Sequence, residues 1–205
     1  MLGKAAAGAG LVLLIPVLFI AAAVGSIGGA PIAGGVLCAP ETGVPQVPAT
    51  TYAATQSSDA GPRPCQAGEL EAMVLSNPRI VLTSAAAGDV AEGRADPRVL
   101  QVLLFLAERH EFGSVGPLIT GHSYFVAGTT TPSNHAFGRA VDISVIDGQP
   151  VSVYNPAARD AMEMVLTLPP PLLPDELGGP WLLYHPRVRV FTRDHGDHLH
   201  IGWDQ

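Results

Sequence analysis

The sequence predicts an α+β domain, in which a small antiparallel sheet is flanked by helices and follows an N-terminal apolar segment. Capped helical patterns and a set of short strand-like runs, two of them joined by a hairpin signal, are typical of this class. The chain has 205 residues, of which 47% are hydrophobic. This is enough for one domain with a buried core, together with appended segments.

The first 24 residues are predicted to be a transmembrane anchor or signal segment. The stretch from Ala5 to Val24 carries no charged residue, and about 20 apolar residues span a bilayer once. Lys4 precedes this stretch, which favours a cytoplasmic N-terminus and an exported remainder. The preferred interpretation is a single-pass anchor in the cell membrane. The alternative is a cleaved signal peptide, which would give a secreted protein.

Residues 25–64 are predicted to form an extracytoplasmic tether. They are rich in Gly, Pro, Ala, Ser and Thr and carry few charges, so they cannot bury enough apolar surface to fold alone. The two cysteines of the chain, Cys38 and Cys65, are expected to form a disulfide outside the cytoplasm. We expect the folded domain to occupy residues 65–205.

In the first part of this domain, the sequence predicts two helices and two short strands. A first helix is expected over 67–76, where Asn77-Pro78 ends it. The strongest helix starts at Asp96-Pro97, because an N-cap residue is followed there by proline at the first helical position, and it ends at Gly113. Short strands are expected at 79–83 and 117–121.

In the second part of the domain, the sequence predicts a hairpin, a helix and further strands. Residues 139–146 alternate as a strand does, and Asp147-Gly148 is a turn signal before a return strand at 150–153. Asn155-Pro156 starts a helix that runs to about residue 168, where three prolines end it. Later strands are expected at 181–184, 187–192 and 198–203.

The charge of the chain excludes one class of partner. Its formal net charge is −7, and Lys4 is its only lysine. The sequence therefore has no basic patch that could neutralise phosphates, and we expect no nucleic-acid partner.

Four side chains that bind metals lie in or beside two of the predicted strands. Asp142 lies on the polar face of strand 139–146, and His135 enters from the preceding loop. His198 and His200 share one face of the last strand, because side chains two residues apart point the same way. If the two strands are neighbours, these side chains converge. Zinc requires three or four such donors, so the sequence predicts a metal site.

The same residues carry a resemblance to a known group of enzymes. Ser133, His135, Gly138, Ala140 and Asp142 match the Ser-x-His-x-x-Gly-x-Ala-x-Asp pattern of zinc D-alanyl-D-alanine carboxypeptidases and dipeptidases. The His-x-His of residues 198–200 is similar to the signature of a wider group. That group also includes lysostaphin-type endopeptidases, penicillin-insensitive murein endopeptidases and the Hedgehog signalling domain. The resemblance covers residues 117–204 at most.

The resemblance implies a function and a set of roles. One zinc ion is held by His135, Asp142 and His200, and its fourth position is left for water, as in catalytic sites. The expected reaction is hydrolysis of an amide bond in peptidoglycan peptides, by a carboxypeptidase or an endopeptidase. His198 is expected to act as the base or as a transition-state stabiliser. Asp197 is the second candidate, because carboxypeptidases of this group have a glutamate at that position.

The sequence departs from the pattern of these carboxypeptidases at one position, which concerns substrate recognition. Such carboxypeptidases usually carry an arginine before the first motif, whereas this chain has none in the segment 121–125. His122 and Tyr124 are therefore the candidates for substrate binding there. Arg139 is a candidate for lining the cleft, and His195 matches a further histidine of the murein endopeptidases. The alternative function is a non-catalytic zinc module that binds a wall peptide or a protein partner, as the Hedgehog resemblance suggests.

Overall fold

The computed structural model of the chain describes residues 37–38, 63–65 and 68–205. Its α-helices are α1 (Glu69–Ser76), α2 (Ser84–Ala91), α3 (Pro97–Ala107) and α4 (Pro156–Val165). Its strands are β1 (Leu37–Cys38), β2 (Arg63–Pro64), β3 (Ile80–Leu82), β4 (Phe112–Val115), β5 (Ala140–Ile146), β6 (Gln149–Pro150), β7 (Glu176–Gly178), β8 (Arg189–Phe191) and β9 (Leu199–Gly202). A 3-10 helix, Asn134–Phe137, precedes β5.

Seven of the described strands form one mixed sheet in the order β3-β4-β5-β9-β7-β8, with β6 paired to β5. The α+β class is therefore confirmed. The expectation of an antiparallel sheet is wrong, because β3 pairs with β4 and β7 pairs with β8 in parallel. Parallel neighbours need a long crossover, and α2 with α3 supplies it between β3 and β4. The central pairs that involve β5 and β9 are antiparallel.

The core lies between α3, α4 and the apolar faces of β5 and β9. Asp96 accepts a hydrogen bond from the backbone N–H of Arg98 and caps α3, as the sequence predicts. Asn155 caps α4 in the same way. The side chains of α3 and of the two central strands that face inward are almost fully buried: Val99, Leu100, Leu103, Leu106, Val141, Ile143, Leu199 and Ile201. The strands that carry Asp142 and His200 are neighbours in the sheet and pair antiparallel, which meets the condition for these side chains to converge.

The segment between α3 and the first metal-binding motif differs from the prediction. Helix α3 ends at Ala107, and the strand that follows is β4, so both the helix end at Gly113 and the strand at 117–121 are wrong. A Cβ on Gly113 would lie 2.8 Å from a methyl carbon of Val145, so glycine is needed there for close pairing with β5 rather than for helix termination. Pro117 lacks the N–H that a strand interior requires. Helix α2 was not predicted, because its alanine-rich sequence has no amphipathic period.

The strand predicted at 181–184 is also wrong. The sheet instead uses Glu176–Gly178, and the segment with Trp181 and Leu182 contains no strand. Aromatic and aliphatic residues favour a strand at 181–184, but packing selects the glycine-containing segment. A Cβ on Gly179 would lie 2.5 Å from the sulfur of Met162, so glycine allows this close approach to α4 without displacing the Met162 side chain.

The N-terminal predictions lie mostly outside the described residues, including the transmembrane segment and most of the tether. Within the described part of the chain, no helix is long and apolar enough to cross a membrane. Strands β1 and β2 pair antiparallel and place Cys38 opposite Arg63, two residues before Cys65. No cysteine in the described part is a free thiol. The bond between Cys38 and Cys65 stays a prediction that this pairing supports.

Candidate metal centre

The 3-10 helix Asn134–Phe137 presents His135 to the polar face of the sheet. The hydroxyl of Ser133 accepts a hydrogen bond from the backbone N–H of His135 at 3.3 Å and caps this short helix. Gly138 ends it in the left-handed conformation, with φ of 69°. A Cβ at Gly138 would collide with the backbone carbonyl oxygen of Arg94. Ser133 and Gly138 thus fix the entry of His135, whose side chain is buried.

Replacing Gly138 with alanine is expected to destabilise the domain by about 1–3 kcal/mol, because the positive φ and the collision with Arg94 both oppose a side chain. Thermal unfolding followed by circular dichroism measures the effect. Gly148→Ala is the matched control, since Gly148 also has a positive φ but no atom lies within 4 Å of an added Cβ. Equal melting temperatures for the two variants would contradict the role of close packing at Gly138.

The atoms of three predicted ligands meet at one point. Asp142 and His200 are directly paired in the ladder between β5 and β9. The Nδ1 atom of His200 lies 3.0 Å from Oδ1 of Asp142 and 3.1 Å from Nε2 of His135. The third separation, from His135 Nε2 to Asp142 Oδ1, is 3.3 Å. The sheet register and the 3-10 helix therefore bring together two residues from one motif and one from the other.

In His135 and in His200, one ring nitrogen points away from the cluster and forms a hydrogen bond. That bond determines which nitrogen can act as a metal ligand. Nδ1 of His135 donates to the carbonyl oxygen of Leu118 at 2.7 Å, so its Nε2 carries a lone pair in the neutral ring. Nε2 of His200 faces a carboxylate oxygen of Glu176 at 3.1 Å and donates to it, so in the neutral ring its Nδ1 carries the lone pair. When both rings are neutral, two lone pairs and the Asp142 carboxylate converge, and either a proton or a metal cation between them would relieve their repulsion.

The electrostatics of the cluster favour positive charge. Burial alone would raise the pKa of Asp142, but hydrogen bonds with His135 and His200 outweigh it and hold that pKa well below its usual range. Burial likewise lowers the pKa of His200, but the carboxylates of Asp142 and Glu176 outweigh it and raise the pKa to about 9. A buried site that attracts a proton this strongly also favours a metal cation, which competes for the same lone pairs.

Glu176 is a part of the site that the sequence analysis missed. It accepts hydrogen bonds from His200, from Nδ2 of Asn134 at 2.7 Å and from Arg189 at 2.7 Å. Burial raises its pKa, but these hydrogen bonds, that of His200 first, lower it to about 2. Glu176 is therefore an ionised carboxylate that orients His200. It was missed because the sequence favoured a strand five residues later.

Replacing Glu176 with glutamine is expected to weaken metal binding by about 10–100-fold, because His200 would lose the charged acceptor that fixes its tautomer. Competition with a chromophoric chelator measures the change in affinity. Glu163→Gln is the matched control, since Glu163 is an exposed partner of Arg159 on α4. An unchanged affinity in Glu176→Gln would show that His200 needs no such support.

His122 stands beside the cluster. His122, His135 and Asp142 form a group that could hold a metal ion, with ligand atoms within 4.8 Å of one another. The rings of His122 and His135 are stacked, with centroids 4.0 Å apart and planes 13° apart. Nδ1 of His122 donates to the carbonyl oxygen of Ser123 at 2.8 Å, which leaves Nε2 as an acceptor. Burial and the neighbouring His135 lower the pKa of His122, so the ring is neutral.

Two further histidines, His195 and His198, lie beside the cluster. Nε2 of His198 lies 4.0 Å from Oδ1 of Asp142, and its Nδ1 donates to Asp197 at 2.8 Å. The ring of His195 lies 4.6 Å from that of His198, and its Nδ1 donates to the carbonyl oxygen of Arg193 at 2.6 Å. Burial and the charges of His198 and His200 lower the pKa of His195. Both rings thus keep one nitrogen as an acceptor.

These histidines line an open cavity of about 320 Å³, which we call the metal cleft. Its lining includes His122, Ser123, Val126, His135, Asp142, Glu176, Phe191, His195, His198 and His200. Three other candidate residues lie elsewhere. The side chain of Asp197 is 90% exposed and contacts His198 instead. Tyr124 is exposed and packs edge-on against Phe125. Arg139 lines a neighbouring cavity.

Comparison of the chain with protein-family models, curated proteins and solved structures found no match.

Proposed function

We propose that the chain is a zinc-dependent peptidase that hydrolyses an amide bond in peptidoglycan peptides outside the cytoplasmic membrane. The observation that carries this proposal is the convergence of His135, Asp142 and His200, with mutual distances of 3.0–3.3 Å, on one side of an open cleft. The sequence motifs supply the substrate class, and the apolar segment before residue 25 supplies the location.

The donor set fits zinc. Two ligand atoms that each lie 2.0–2.1 Å from a tetrahedral zinc ion are separated by about 3.3 Å, close to the separations in this cluster. Two imidazole nitrogens and one carboxylate oxygen are ordinary zinc ligands, and hydrogen bonds to Leu118 and Glu176 hold both imidazoles in the tautomer that binding requires. Three protein ligands leave one position open, which is the arrangement of a catalytic site.

We assign the third ligand to His200 rather than to His122. An imidazole binds a metal through a lone pair in the plane of its ring. Because the rings of His122 and His135 are stacked, an ion in the plane of the His135 ring lies out of the plane of the His122 ring. The nitrogen of His200 is also nearer, at 3.1 Å from His135.

The second candidate function depends on His122, which lies beside the cluster. If its ring turned toward the cluster, His122 would supply a fourth protein ligand, and a zinc site with four protein ligands is structural. The chain would then be a non-catalytic zinc module that binds a wall peptide or a protein partner. The stacking on His135 opposes that rotation.

A zinc ion bound by these ligands supplies a Lewis acid that polarises the scissile carbonyl and acidifies water. His198 then acts as the general base. Asp197 holds the proton of Nδ1, so Nε2 carries a lone pair beside the cluster and accepts the proton of the attacking water. The same atom returns the proton to the leaving amine. Asp197 orients His198 and does not itself face the cleft.

His122 and His195 bind substrate as hydrogen-bond acceptors. In both rings Nδ1–H is used by a backbone carbonyl oxygen, and both pKa values are lowered, so neither ring donates from Nε2. Each therefore accepts a hydrogen bond from a substrate N–H group rather than donating to a carbonyl. Backbone amides of a peptide supply such donors on both sides of the scissile bond.

The proposal is tested by incubating the zinc-loaded full chain with peptidoglycan and counting the amino groups released over time. His135→Ala is the comparison, since it removes a metal ligand. Release by the wild type and none by the variant is the expected result. If the wild type releases no more than His135→Ala across several wall types, the peptidase assignment fails. Zinc content and peptide binding without release would then support the non-catalytic module.

A further inference from the structure

A second cavity of about 320 Å³ adjoins the metal cleft, and we call it the side pocket. Val126 and Glu176 line both cavities, so the two are neighbours across these shared walls. Arg139, Arg189 and Asp204 line the side pocket but not the metal cleft. A substrate that occupies the metal cleft can therefore place a branch among charged groups that the hydrolytic residues do not use.

Arg139 brings a positive charge to this pocket, and this charge acts on the carboxylate of Asp96. Its guanidinium carbon lies 4.6 Å from the centre of the Phe137 ring, and Phe137 is half exposed. Among the described residues, the buried Nε atom of Arg139 has no hydrogen-bond partner. The nearby carboxylate of Asp96 is occupied by Arg98, at 2.7 and 2.9 Å. A buried donor without an acceptor is costly, so Arg139 is suited to an acceptor that a ligand supplies.

The acidic groups of the side pocket are grouped around a single arginine. Arg189 contacts Oε2 of Glu176 at 2.7 Å and Oδ1 of Asp204 at 3.3 Å. Asn134 also donates to both carboxylates, at 2.7 and 3.2 Å. Glu176 is thus held by Arg189 and His200, whereas Asp204 has only the longer contact with Arg189, so the negative charge of Asp204 is the less neutralised of the two. The side chain of Asp204 is 53% exposed, so this charge is accessible to a ligand.

A guanidinium group and an incompletely neutralised carboxylate thus line the same small cavity. We propose that the side pocket binds an α-amino-acid head group, with an ammonium and a carboxylate on one carbon, at the end of a substrate side chain. Arg139 binds the carboxylate, for which the guanidinium fork is well shaped, and Asp204 binds the ammonium. This inference rests on the proposed function and narrows its substrates to peptides with such a branched residue.

The test uses two peptides that differ at one residue, which is meso-diaminopimelate in one and lysine in the other. The second peptide lacks only the side-chain carboxylate. We expect the zinc-loaded full chain to hydrolyse the diaminopimelate peptide with a kcat/KM at least about tenfold higher, since a charge-assisted bidentate contact is lost with lysine. Arg139→Gln is expected to bring the ratio of the two kcat/KM values close to one. Arg187→Gln, at an exposed arginine outside both cavities, keeps the wild-type ratio.

A second measurement does not depend on hydrolysis or on the folding of a variant. Titration calorimetry of the wild-type chain compares free meso-diaminopimelate with Nα-acetyl-lysine amide, whose side-chain ammonium has no carboxylate on the same carbon, and only the first is expected to bind. Equal kcat/KM values for the two peptides, or a preference that survives in Arg139→Gln, would overturn the inference. If neither peptide is hydrolysed, the proposed function fails, and the calorimetry still decides whether the side pocket binds the head group.

Discussion

Replacing His200 with alanine is expected to abolish zinc binding and to lower kcat/KM at least about 1,000-fold, because a Lewis acid contributes several kcal/mol to the transition state. His135 and Asp142 alone leave two protein ligands, fewer than zinc sites use. The loss should also free Glu176, whose carboxylate would then face only Asn134 and Arg189. Metal content by mass spectrometry and steady-state kinetics measure the two effects.

The matched control is His185→Ala, since His185 lies outside the metal cleft and its Nδ1 accepts a hydrogen bond from the backbone N–H of Arg187. This variant should keep one zinc ion and the wild-type rate. Thermal unfolding of both variants separates metal loss from unfolding. A His200→Ala protein that is folded and still holds one zinc ion per chain would contradict the assignment of His200 as a ligand.

Replacing His198 with alanine is expected to lower kcat by about 10²–10⁴-fold while zinc content stays unchanged, because the general base is lost and the three ligands remain. Asp197→Asn is expected to cost only about tenfold, since Asp197 orients His198 from an exposed position. Steady-state kinetics of the two variants, with zinc content determined for each, measure these effects.

The comparison of these two variants separates the two candidates for the base. If Asp197→Asn loses as much activity as His198→Ala, the carboxylate takes the proton and His198 has another role. If both variants keep nearly full activity, neither residue is the base. A loss of zinc in His198→Ala would instead place His198 among the ligands, which its distance of 4.0 Å from Asp142 opposes.

The α+β class and much of the centre of the fold could be predicted because local signals determine them. The side-chain oxygens of Asp96 and Asn155 cap their own helices, and each is followed by a proline at the first helical position. The alternation of apolar and polar residues in β5 fixes which face meets the core and which face carries Asp142. These are interactions within a few residues, which a sequence pattern contains.

The outer strands could not be predicted because tertiary contacts select them. Gly113 reads as a helix end, yet it lies in β4 where a Cβ would press on Val145. Gly178 lies outside every predicted strand, yet it belongs to β7, where a Cβ would collide with the ring of His195. In both places a glycine allows two elements to approach, and the partner across the contact is distant in the sequence.

In the candidate site, too, the features that depend on local signals could be predicted, and those that depend on tertiary contacts could not. The two motifs predicted that His135, Asp142 and His200 lie close together; the pairing of β5 with β9 joins Asp142 to His200, and the 3-10 helix before β5 adds His135. Glu176 was missed, since it belongs to the strand that the pattern placed at 181–184. His122 and Tyr124 were predicted to bind substrate and Arg139 to line the cleft, whereas the structure puts only His122 of these three in the metal cleft. Loop conformation separates these three side chains, and spacing along the chain does not report it.

The most direct test of the account is the position of the metal. Anomalous diffraction at the zinc edge from crystals of the zinc-loaded chain locates the ion without reference to activity. We expect one ion, at about 2.0–2.2 Å from Nε2 of His135, Oδ1 of Asp142 and Nδ1 of His200. An ion bound by His122 in place of His200, or no ion at this cluster, would contradict the account.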